Sequence, residues 1–352
     1  MSQLLRAAVL CEINSDLELQ DLEIPALQPG QVLVDIAYSG ICRSQLNEIQ
    51  GLKGVDRFLP HTLGHEGSGI VRKVGGDVSR ASAGDHVVLS WLKGGGYDIR
   101  STVYESSKGR VNSGAVSTFM TAAVVSENRL VRIDSTVPLK EAALLGCAVP
   151  TGAGTVLNIA VPSAGHSLAV FGLGGIGQCA LIAAKNCGLK TVIGVDIVQD
   201  KLDIALRLGA SHVINAQQED VGKRIHQITG TGGVDYAIEA VGNTSVMEMA
   251  FASVRDNGGL CVVAGNPPAG DTVRIDPFDL IKGRKIVGSW GGGSDLDRDM
   301  PIYLRWLEGG ALPLSELGGH EYSLGDINGA LEDFAAGKVL RPLINMGLET
   351  LV

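Results

Sequence analysis

The sequence lacks the features of a membrane-spanning protein and of a small secreted protein built on disulfides. Glycine and polar residues interrupt its most apolar stretch, at residues 166–188, so we expect no membrane span. The N-terminal segment has no apolar core and soon becomes acidic, so we expect no signal or transit peptide. Six scattered cysteines in 352 residues argue against a disulfide framework and favour reduced thiols in the cytoplasm.

The sequence also lacks an excess of positively charged residues. Lysine and arginine number 29 against 38 acidic residues, which gives a net charge of −9 at pH 7. This balance argues against nucleic acid or an anionic membrane as the main partner. Glycine is abundant instead, with 48 residues, and 45% of the chain is hydrophobic. Together with the length, these values favour a globular α/β protein of about two domains.

Two kinds of pattern divide the chain. In the first part, stretches such as 31–40 alternate apolar and polar residues, as strands do. From about residue 150, short apolar strands alternate with helical segments, which predicts a doubly wound parallel sheet, the Rossmann fold. We therefore predict a cofactor domain at 150–290 and a second, β-rich domain formed jointly by 1–149 and 291–352.

The stretch VFGLGGIG is typical of a dinucleotide-binding turn. Gly172, Gly174 and Gly177 follow a predicted strand and open a predicted helix, whose free N–H groups can face a pyrophosphate. Asp196 ends the next strand about 20 residues later, where a carboxylate bonds the adenosine ribose. Its charge repels a 2′-phosphate and no arginine follows it closely, so we predict NAD(H) rather than NADP(H). The alternative is a glycine turn and an aspartate with structural roles only.

Cys42, His65 and Cys147 are candidate zinc ligands in the other domain. Hydride transfer from an alcohol requires removal of the hydroxyl proton and stabilisation of the developing alkoxide, and zinc does both. Two cysteines and one histidine suit a catalytic zinc, which keeps one position open. Their wide separation does not identify a site by itself, because buried cysteines are usually small hydrophobic residues and His65 could be an ordinary histidine.

Motifs along the whole chain resemble those of the medium-chain zinc-dependent alcohol dehydrogenases. The likeness is greatest to the branch that contains the liver-type and glutathione-dependent formaldehyde dehydrogenases. It implies a GroES-like catalytic domain beside the Rossmann domain, bound NAD, and zinc on Cys42, His65 and Cys147. It also implies a homodimer through the cofactor-domain sheets, with a tetramer as the alternative. The motifs are GICRS (40–44), LGHEGSG (63–69), GCAVPTGAG (146–154) and VFGLGGIG (170–177).

The resemblance further implies roles for single side chains. Ser44 matches the hydroxyl that takes the substrate proton. Glu66 matches an acidic residue behind the metal, either a fixed charge or a transient ligand. Trp91 and Phe119 match aromatic walls of the substrate pocket. The implied cofactor contacts are Arg43, Thr151, Gly172, Gly174, Gly175, Ile176, Gly177, Asp196, Lys201 and Arg341.

The chain departs from these relatives at three points. Many of them carry a structural zinc on four cysteines in a lobe that matches residues 91–119, which contain no cysteine here. We therefore expect one catalytic and no structural zinc, with the lobe held by ordinary packing or mobile. Asn47 replaces a histidine that passes the proton to solvent, and an amide carries no proton at neutral pH, so the relay is expected to end on ribose and water. Gln45 replaces a common aspartate.

The substrate is the least defined part of the prediction. Basic residues near the candidate site suggest a polar or anionic substrate, and the alternative is an ordinary solvated surface. Our main hypothesis is a zinc- and NAD-dependent alcohol dehydrogenase or aldehyde reductase. The alternatives are a zinc-free quinone or enoyl reductase of the same fold, and a cofactor-binding protein without turnover. His61 is interpreted as structural, since Pro60 and Gly64 argue against a helix there. The basic residues are Lys53, Arg57, Lys93, Arg100, Lys108 and Arg110.

Overall fold

The computed structural model describes residues 3–230, 232–317 and 319–348. Within these residues the chain forms two compact units. The first unit consists of the chain up to Cys147, Asp295–Glu308, and the chain from Leu317 onward. The second consists of Ala148–Ser294 and Gly309–Glu316.

Residues 148–149, 291–294 and 309–316 fall in a different unit from the one predicted, and the last of these stretches is the longest. Gly309–Glu316 was assigned by sequence to the zinc domain, but it packs with the second unit. Leu312 and Leu314 are buried, and the carbonyl of Ala311 accepts a hydrogen bond from the Asn186 amide at 3.0 Å. These two leucines have no helical or strand periodicity around them, so the sequence carried no signal of this return.

The described residues contain eighteen strands and ten α-helices. No single helix among them is long and apolar enough to cross a membrane, and one bent pair of segments, 139–146 with 148–160, reaches that length and composition only when combined. The strands are β1 (Leu4–Leu10), β2 (Glu18–Glu23), β3 (Gln31–Gly40), β4 (His61–Thr62), β5 (Glu66–Val74), β6 (His86–Ser90), β7 (Val103–Ser106), β8 (Gly109–Asn112), β9 (Ala122–Ser126), β10 (Leu130–Ile133), β11 (Ser167–Phe171), β12 (Thr191–Asp196), β13 (His212–Asn215), β14 (Tyr236–Glu239), β15 (Leu260–Val263), β16 (Lys285–Gly288), β17 (Glu321–Ser323) and β18 (Leu343–Asn345). The helices are α1 (Arg43–Ile49), α2 (Leu139–Ala142), α3 (Ala148–Gly154), α4 (Gly175–Asn186), α5 (Gln199–Leu208), α6 (Val221–Thr229), α7 (Thr244–Ala252), α8 (Pro277–Ile281), α9 (Leu296–Glu308) and α10 (Ile327–Ala335).

A small closed barrel and a seven-stranded sheet make up the first unit. The barrel runs β1-β2-β7-β8-β4, and the sheet runs β10-β6-β5-β3-β18-β17 with β9 also paired to β3. Strand β3 is buried along almost its whole length, which agrees with its apolar sequence. It pairs antiparallel with β5, Ser39 opposite Gly67. The end of β3 and the start of β5 are therefore adjacent, and this places Cys42 near His65.

The second unit contains a six-stranded parallel sheet in the order β13-β12-β11-β14-β15-β16. Counted along the chain this is 3-2-1-4-5-6, the order of the dinucleotide-binding fold, so the predicted Rossmann sheet is confirmed. Helix α6 was not predicted. Its cap Asp220 accepts from the Lys223 N–H at 3.0 Å, and Val221 and Ile225 bury one face.

Packing and buried hydrogen bonds hold the cysteine-free lobe. Tyr104 is 1% exposed and its hydroxyl accepts from the Val124 N–H at 2.9 Å, and burial raises the pKa of Tyr104 to about 12. The carboxylate of Glu127 is buried and accepts from the N–H groups of Tyr97 and Ser79, both at 2.9 Å. Each of these groups is satisfied by protein partners, so the lobe has the contacts of an ordinary folded segment.

Candidate metal centre and cofactor loop

Cys42, His65 and Cys147 lie together in the first unit. Their ligand atoms all lie within 4.8 Å of one another. The Nε2 atom of His65 is 3.2 Å from the Sγ atom of Cys147. Both cysteines are buried, at 7% and 5% exposure, and His65 is half-buried. The three candidate ligands, separated by a hundred residues of chain, thus converge on one point.

Local backbone features explain how each ligand reaches this point. Cys42 caps α1 directly after β3, and its N–H donates to the Oε1 atom of Gln45 at 2.8 Å. His65 follows Gly64, whose φ of +89° allows the sharp turn into β5. A side chain at Gly64 would also meet Thr118 Oγ1 at 2.4 Å. The glycine before the histidine is therefore required by both its conformation and its surroundings.

The donor set fits a zinc ion. Zinc bonds of about 2.3 Å to sulfur and about 2.0 Å to nitrogen require donor atoms roughly 3–4 Å apart, close to the separations found. The side chain of Gln45 contacts the Nδ1 atom of His65, so the Nε2 atom points toward the two sulfurs. Two thiolates and one imidazole leave the fourth tetrahedral position to water or substrate, as in a catalytic site.

The two thiols influence each other's ionisation. A hydrogen bond from the Cys147 thiol holds the pKa of Cys42 well below its usual range, despite burial, and the Arg341 guanidinium lowers it further. The same hydrogen bond, together with burial, raises the pKa of Cys147. One of the two cysteines is therefore more readily deprotonated than the other before a metal binds. A bound cation would favour deprotonation of the second cysteine.

Glu66 and Arg341 form a buried ion pair behind the thiols. Glu66 is 0% and Arg341 4% exposed, and an Arg341 Nη2 group donates to Glu66 Oε1. Burial acts to lower the pKa of Arg341, but Glu66 and Cys42 raise it above its ordinary value. A Cβ at Gly40 would lie 2.2 Å from Glu66 Oε1, so only glycine leaves room for this carboxylate. Arg341, predicted as a phosphate contact, is engaged here with Glu66.

The residues predicted to face the substrate have unequal surroundings. Ser44 is half-buried in the first turn of α1, and Asn47 lies one turn later on the same helix and is buried. The Trp91 ring lies edge-on to His65 with 6.4 Å between centroids. Phe119 has no exposed surface and packs in the hydrophobic core with Leu63, so its assignment to a pocket wall stays a prediction. Its apolar side chain is satisfied by the core alone.

The glycine loop of the second unit has the shape of a phosphate-binding turn. Gly172 has a φ of +90°, and a Cβ at Gly177 would lie 1.9 Å from the carbonyl oxygen of Gly172. Gly174 caps α4 without a side-chain hydrogen bond, and space around it is open. Gly175 and Ile176 form the first turn of this 12-residue helix. The free N–H groups at its start can bind an anion by donating hydrogen bonds to it.

Asp196 and Thr151 complete the candidate cofactor site. The Oδ2 atom of Asp196 accepts from the Leu173 N–H at 2.7 Å, so this carboxylate also fixes the loop. The hydroxyl of Thr151 is buried with no hydrogen-bond partner, which is the condition expected of a group that awaits a ligand. Lys201 is half-buried in the first turns of α5, and Arg43 of the first unit is exposed with its guanidinium 5.9 Å above the Phe334 ring.

Sequence reasoning missed a second cluster beside Ser44. Glu48, Asp56 and His61 place their polar atoms within 4.8 Å of one another. His61 Nε2 is 2.8 Å from Asp56 and 3.9 Å from Glu48. Lys53 Nζ donates to both Glu48 Oε2 and Ser44 Oγ, each at 2.8 Å. The irregular turn that joins these residues has no periodicity, so only its high density of charged residues could have pointed to them.

A Rossmann unit in the same chain as a β-rich unit that carries a Cys–His–Cys centre defines a zinc-binding dehydrogenase. Residues 175–309 match the model of the zinc-binding dehydrogenase family, and residues 28–135 match that of the alcohol dehydrogenase GroES-like domain. The chain belongs to the medium-chain zinc-dependent alcohol dehydrogenase family, an oxidoreductase family.

Individual relatives support this assignment over the full length. The chain is 31% identical to alcohol dehydrogenase class-3 of Zea mays, over 97% of this chain and 96% of the relative. A solved structure of an alcohol dehydrogenase zinc-binding domain protein from Burkholderia ambifaria is 32% identical with a TM-score of 0.91, over 98% and 99% of the two chains. Benzyl alcohol dehydrogenase from Acinetobacter calcoaceticus is 32% identical with a TM-score of 0.89, over 97% and 99%.

Proposed function

We propose that this chain is a zinc-dependent oxidoreductase that transfers hydride between an alcohol and NAD⁺, or between NADH and an aldehyde or ketone. The observation that carries the proposal is the convergence of Cys42, His65 and Cys147, with ligand atoms within 4.8 Å of one another. Zinc held there would act as a Lewis acid on the substrate oxygen. The family assignment supports the same reaction class.

The chain's own residues would prepare the site and move the proton. Gln45 fixes the ring of His65, and the buried pair of Glu66 and Arg341 balances charge behind the thiolates. Ser44 follows Cys42 by two residues, and its hydroxyl would exchange the proton of the substrate oxygen at its Oγ atom. These groups sit on a strand end and a helix start, which fixes their positions before substrate arrives.

Features of the second unit support NAD(H) as the hydride carrier. The open N-terminus of α4 would hold the pyrophosphate. Asp196 would accept hydrogen bonds from the ribose hydroxyls and disfavour a 2′-phosphate. The buried, unpartnered hydroxyl of Thr151 would bond the nicotinamide carboxamide.

Ion pairing narrows the proposed substrate class. Four of the six basic side chains named above are paired with carboxylates, so much of their charge is neutralised. This favours a polar, uncharged alcohol or aldehyde over an anionic one. The pairs are Lys53–Glu48 at 2.8 Å, Lys93–Asp98 at 2.5 Å, Lys108–Glu18 at 2.6 Å and Arg110–Glu105 at 3.7 Å.

We also propose a homodimer, with a tetramer as the alternative, that works in the cytoplasm. Strand β16 forms the edge of the parallel sheet, and it is flanked by the exposed apolar side chains of Phe278, Ile281 and Trp290. An exposed apolar sheet edge is a surface suited to pairing with a second copy. All six cysteines are free thiols, which supports a reducing compartment.

The test is the zinc content per subunit of the wild type, Cys147→Ala and Cys187→Ala, with turnover on a panel of alcohols and aldehydes with NAD(H). Cys187 is a free, half-buried thiol outside the site and serves as the matched control. We expect about one zinc in the wild type and the control, and none, with no turnover, in Cys147→Ala. A zinc-free wild type would replace the proposal with a zinc-free reductase, and about two zincs would overturn the single site.

A further inference from the structure

We propose that Lys53 is the proton donor and acceptor of Ser44 and that it carries the substrate proton to and from solvent, while Glu48 holds its ammonium group in place. The inference rests on the proposed function, because it concerns the proton of the same reaction. It also replaces the expectation that the relay ends on ribose and water. Three residues of one short segment would then do what Asn47 cannot do.

The contacts run unbroken from the active-site hydroxyl to the surface. Lys53 Nζ lies 2.8 Å from Ser44 Oγ and 2.8 Å from Glu48 Oε2. The side chain of Ser44 stands at the buried end, while the side chains of Lys53 and Glu48 are 43% and 29% exposed. Protons can therefore reach the ammonium group from bulk water without passing through the protein core.

The direction of the hydrogen bond fixes what each group does. The ammonium has donors only, so Ser44 accepts from it and its own O–H is free to point elsewhere. In carbonyl reduction, hydride adds to the carbon, the O–H proton of Ser44 passes to the substrate oxygen, and an N–H proton of Lys53 passes to Ser44. Lys53 is left as a neutral amine, and water restores its proton. Alcohol oxidation runs the same transfers in reverse, beginning with the neutral amine.

Charged groups around Lys53 hold it in place. Glu48 faces it from α1, and Asp56 faces it from the turn that follows. His61 of β4 packs behind both carboxylates, 2.8 Å from Asp56 and 3.9 Å from Glu48. This arrangement anchors a flexible side chain at Ser44, so the ordering cost of a lysine is met before the reaction.

Two substitutions of Lys53 separate proton transfer from a structural role. Lys53→Met removes the proton carrier, whereas Lys53→Arg keeps the charge and the donors but holds its proton at any working pH. Lys338→Met is the matched control, because Lys338 also pairs at 2.8 Å with a carboxylate five residues before it. Zinc content and thermal unfolding of each variant establish that the site and the fold are intact.

We expect kcat to fall on the order of 100-fold in both Lys53 variants, with KM nearly unchanged. The solvent deuterium isotope effect on kcat should rise in Lys53→Met. Lys338→Met should match the wild type.

Any other result shows which of the two proposals, the relay or the proposed function, is wrong. Full activity of Lys53→Arg would overturn proton transfer by Lys53 and assign it a positional role. A wild-type kcat and a wild-type isotope effect in Lys53→Met would overturn any role in the relay while leaving the proposed function intact. A wild type that binds zinc but turns over no member of the panel would overturn the proposed function, and the relay with it.

Discussion

Two histidines four residues apart, His61 and His65, belong to clusters of opposite chemistry. His65 stands with two buried thiols and an amide, whereas His61 stands with two carboxylates and is backed by a lysine. Thiolates and a neutral imidazole are the ligands that zinc prefers. Carboxylates that already contact an ammonium group and an imidazole form a hydrogen-bonded network instead. The same side chain thus suits metal binding in one place and a charged hydrogen-bond network in the other, depending on its neighbours.

Charge balance separates the two clusters as well. Behind the thiols, Glu66 and Arg341 are both almost inaccessible to solvent, so water cannot solvate the charge of either side chain. In the His61 cluster, Glu48 and Lys53 are partly exposed, so water solvates both charges. Loss of one partner should therefore be costly in the first cluster and mild in the second.

The largest effect should come from Arg341→Met. It leaves the Glu66 carboxylate buried without a partner, which costs about 3–5 kcal/mol of unfolding free energy. Urea unfolding of the zinc-free protein measures this cost. Arg255→Met is the control, because Arg255 pairs with Asp235 at 2.7 Å but is 34% exposed. The double variant Glu66→Leu/Arg341→Met should recover much of the loss. Equal losses of unfolding free energy in Arg341→Met and Arg255→Met would contradict the expected difference between a buried and an exposed ion pair.

A second effect should appear at Gln45. Zinc on Nε2 of His65 leaves the proton on Nδ1, which then requires an acceptor. In the structure the Gln45 Oε1 atom accepts from the Cys42 N–H and its Nε2 atom faces Nδ1, so the amide has to turn over to accept from an Nδ1–H group. Gln45→Leu removes both contacts and should weaken zinc binding 10–100-fold. Gln45→Glu offers oxygens to both the Cys42 N–H and the ring, and should bind zinc more tightly than the wild type. Competition with a chromogenic chelator measures both affinities, and equal affinities in all three proteins would contradict the role of Gln45.

The two units differ in how far they could be predicted. The sheet order and the glycine loop of the second unit follow from local patterns: an apolar strand, a glycine turn and a helix, repeated along the chain. The barrel of the first unit joins β1, β2 and β4 to the hairpin β7–β8 across long separations, and no local pattern records such pairings.

The candidate site shows the same division. The three candidate zinc ligands were predicted through resemblance, since spacing alone left them open, and the structure places their ligand atoms together. Lys53 and Arg341 lie in irregular segments, and the direction of their side chains toward α1 and β5 depends on tertiary packing. Phe119 was assigned to a pocket because an aromatic at that position matched, while its burial depends on core residues far away in the sequence, such as Ala8 and Ile327.

The smallest effect should come from Asp56→Asn, which tests the His61 cluster directly. Burial acts to raise the pKa of Asp56, but the Phe58 N–H and the His61 ring outweigh it and hold the pKa below its usual range. The native carboxylate therefore stabilises the fold above the unfolded pKa of about 3.9, by about 1 kcal/mol, and this contribution is lost as the pH falls through the native value. Thermal unfolding of both proteins from pH 7 to pH 3 should show a difference that narrows below about pH 4. Zinc content should stay the same in Asp56→Asn, because the carboxylates of this cluster are already occupied by Lys53 and His61. A loss of zinc would contradict the contrast, because it would mean that the His61 cluster also binds the metal.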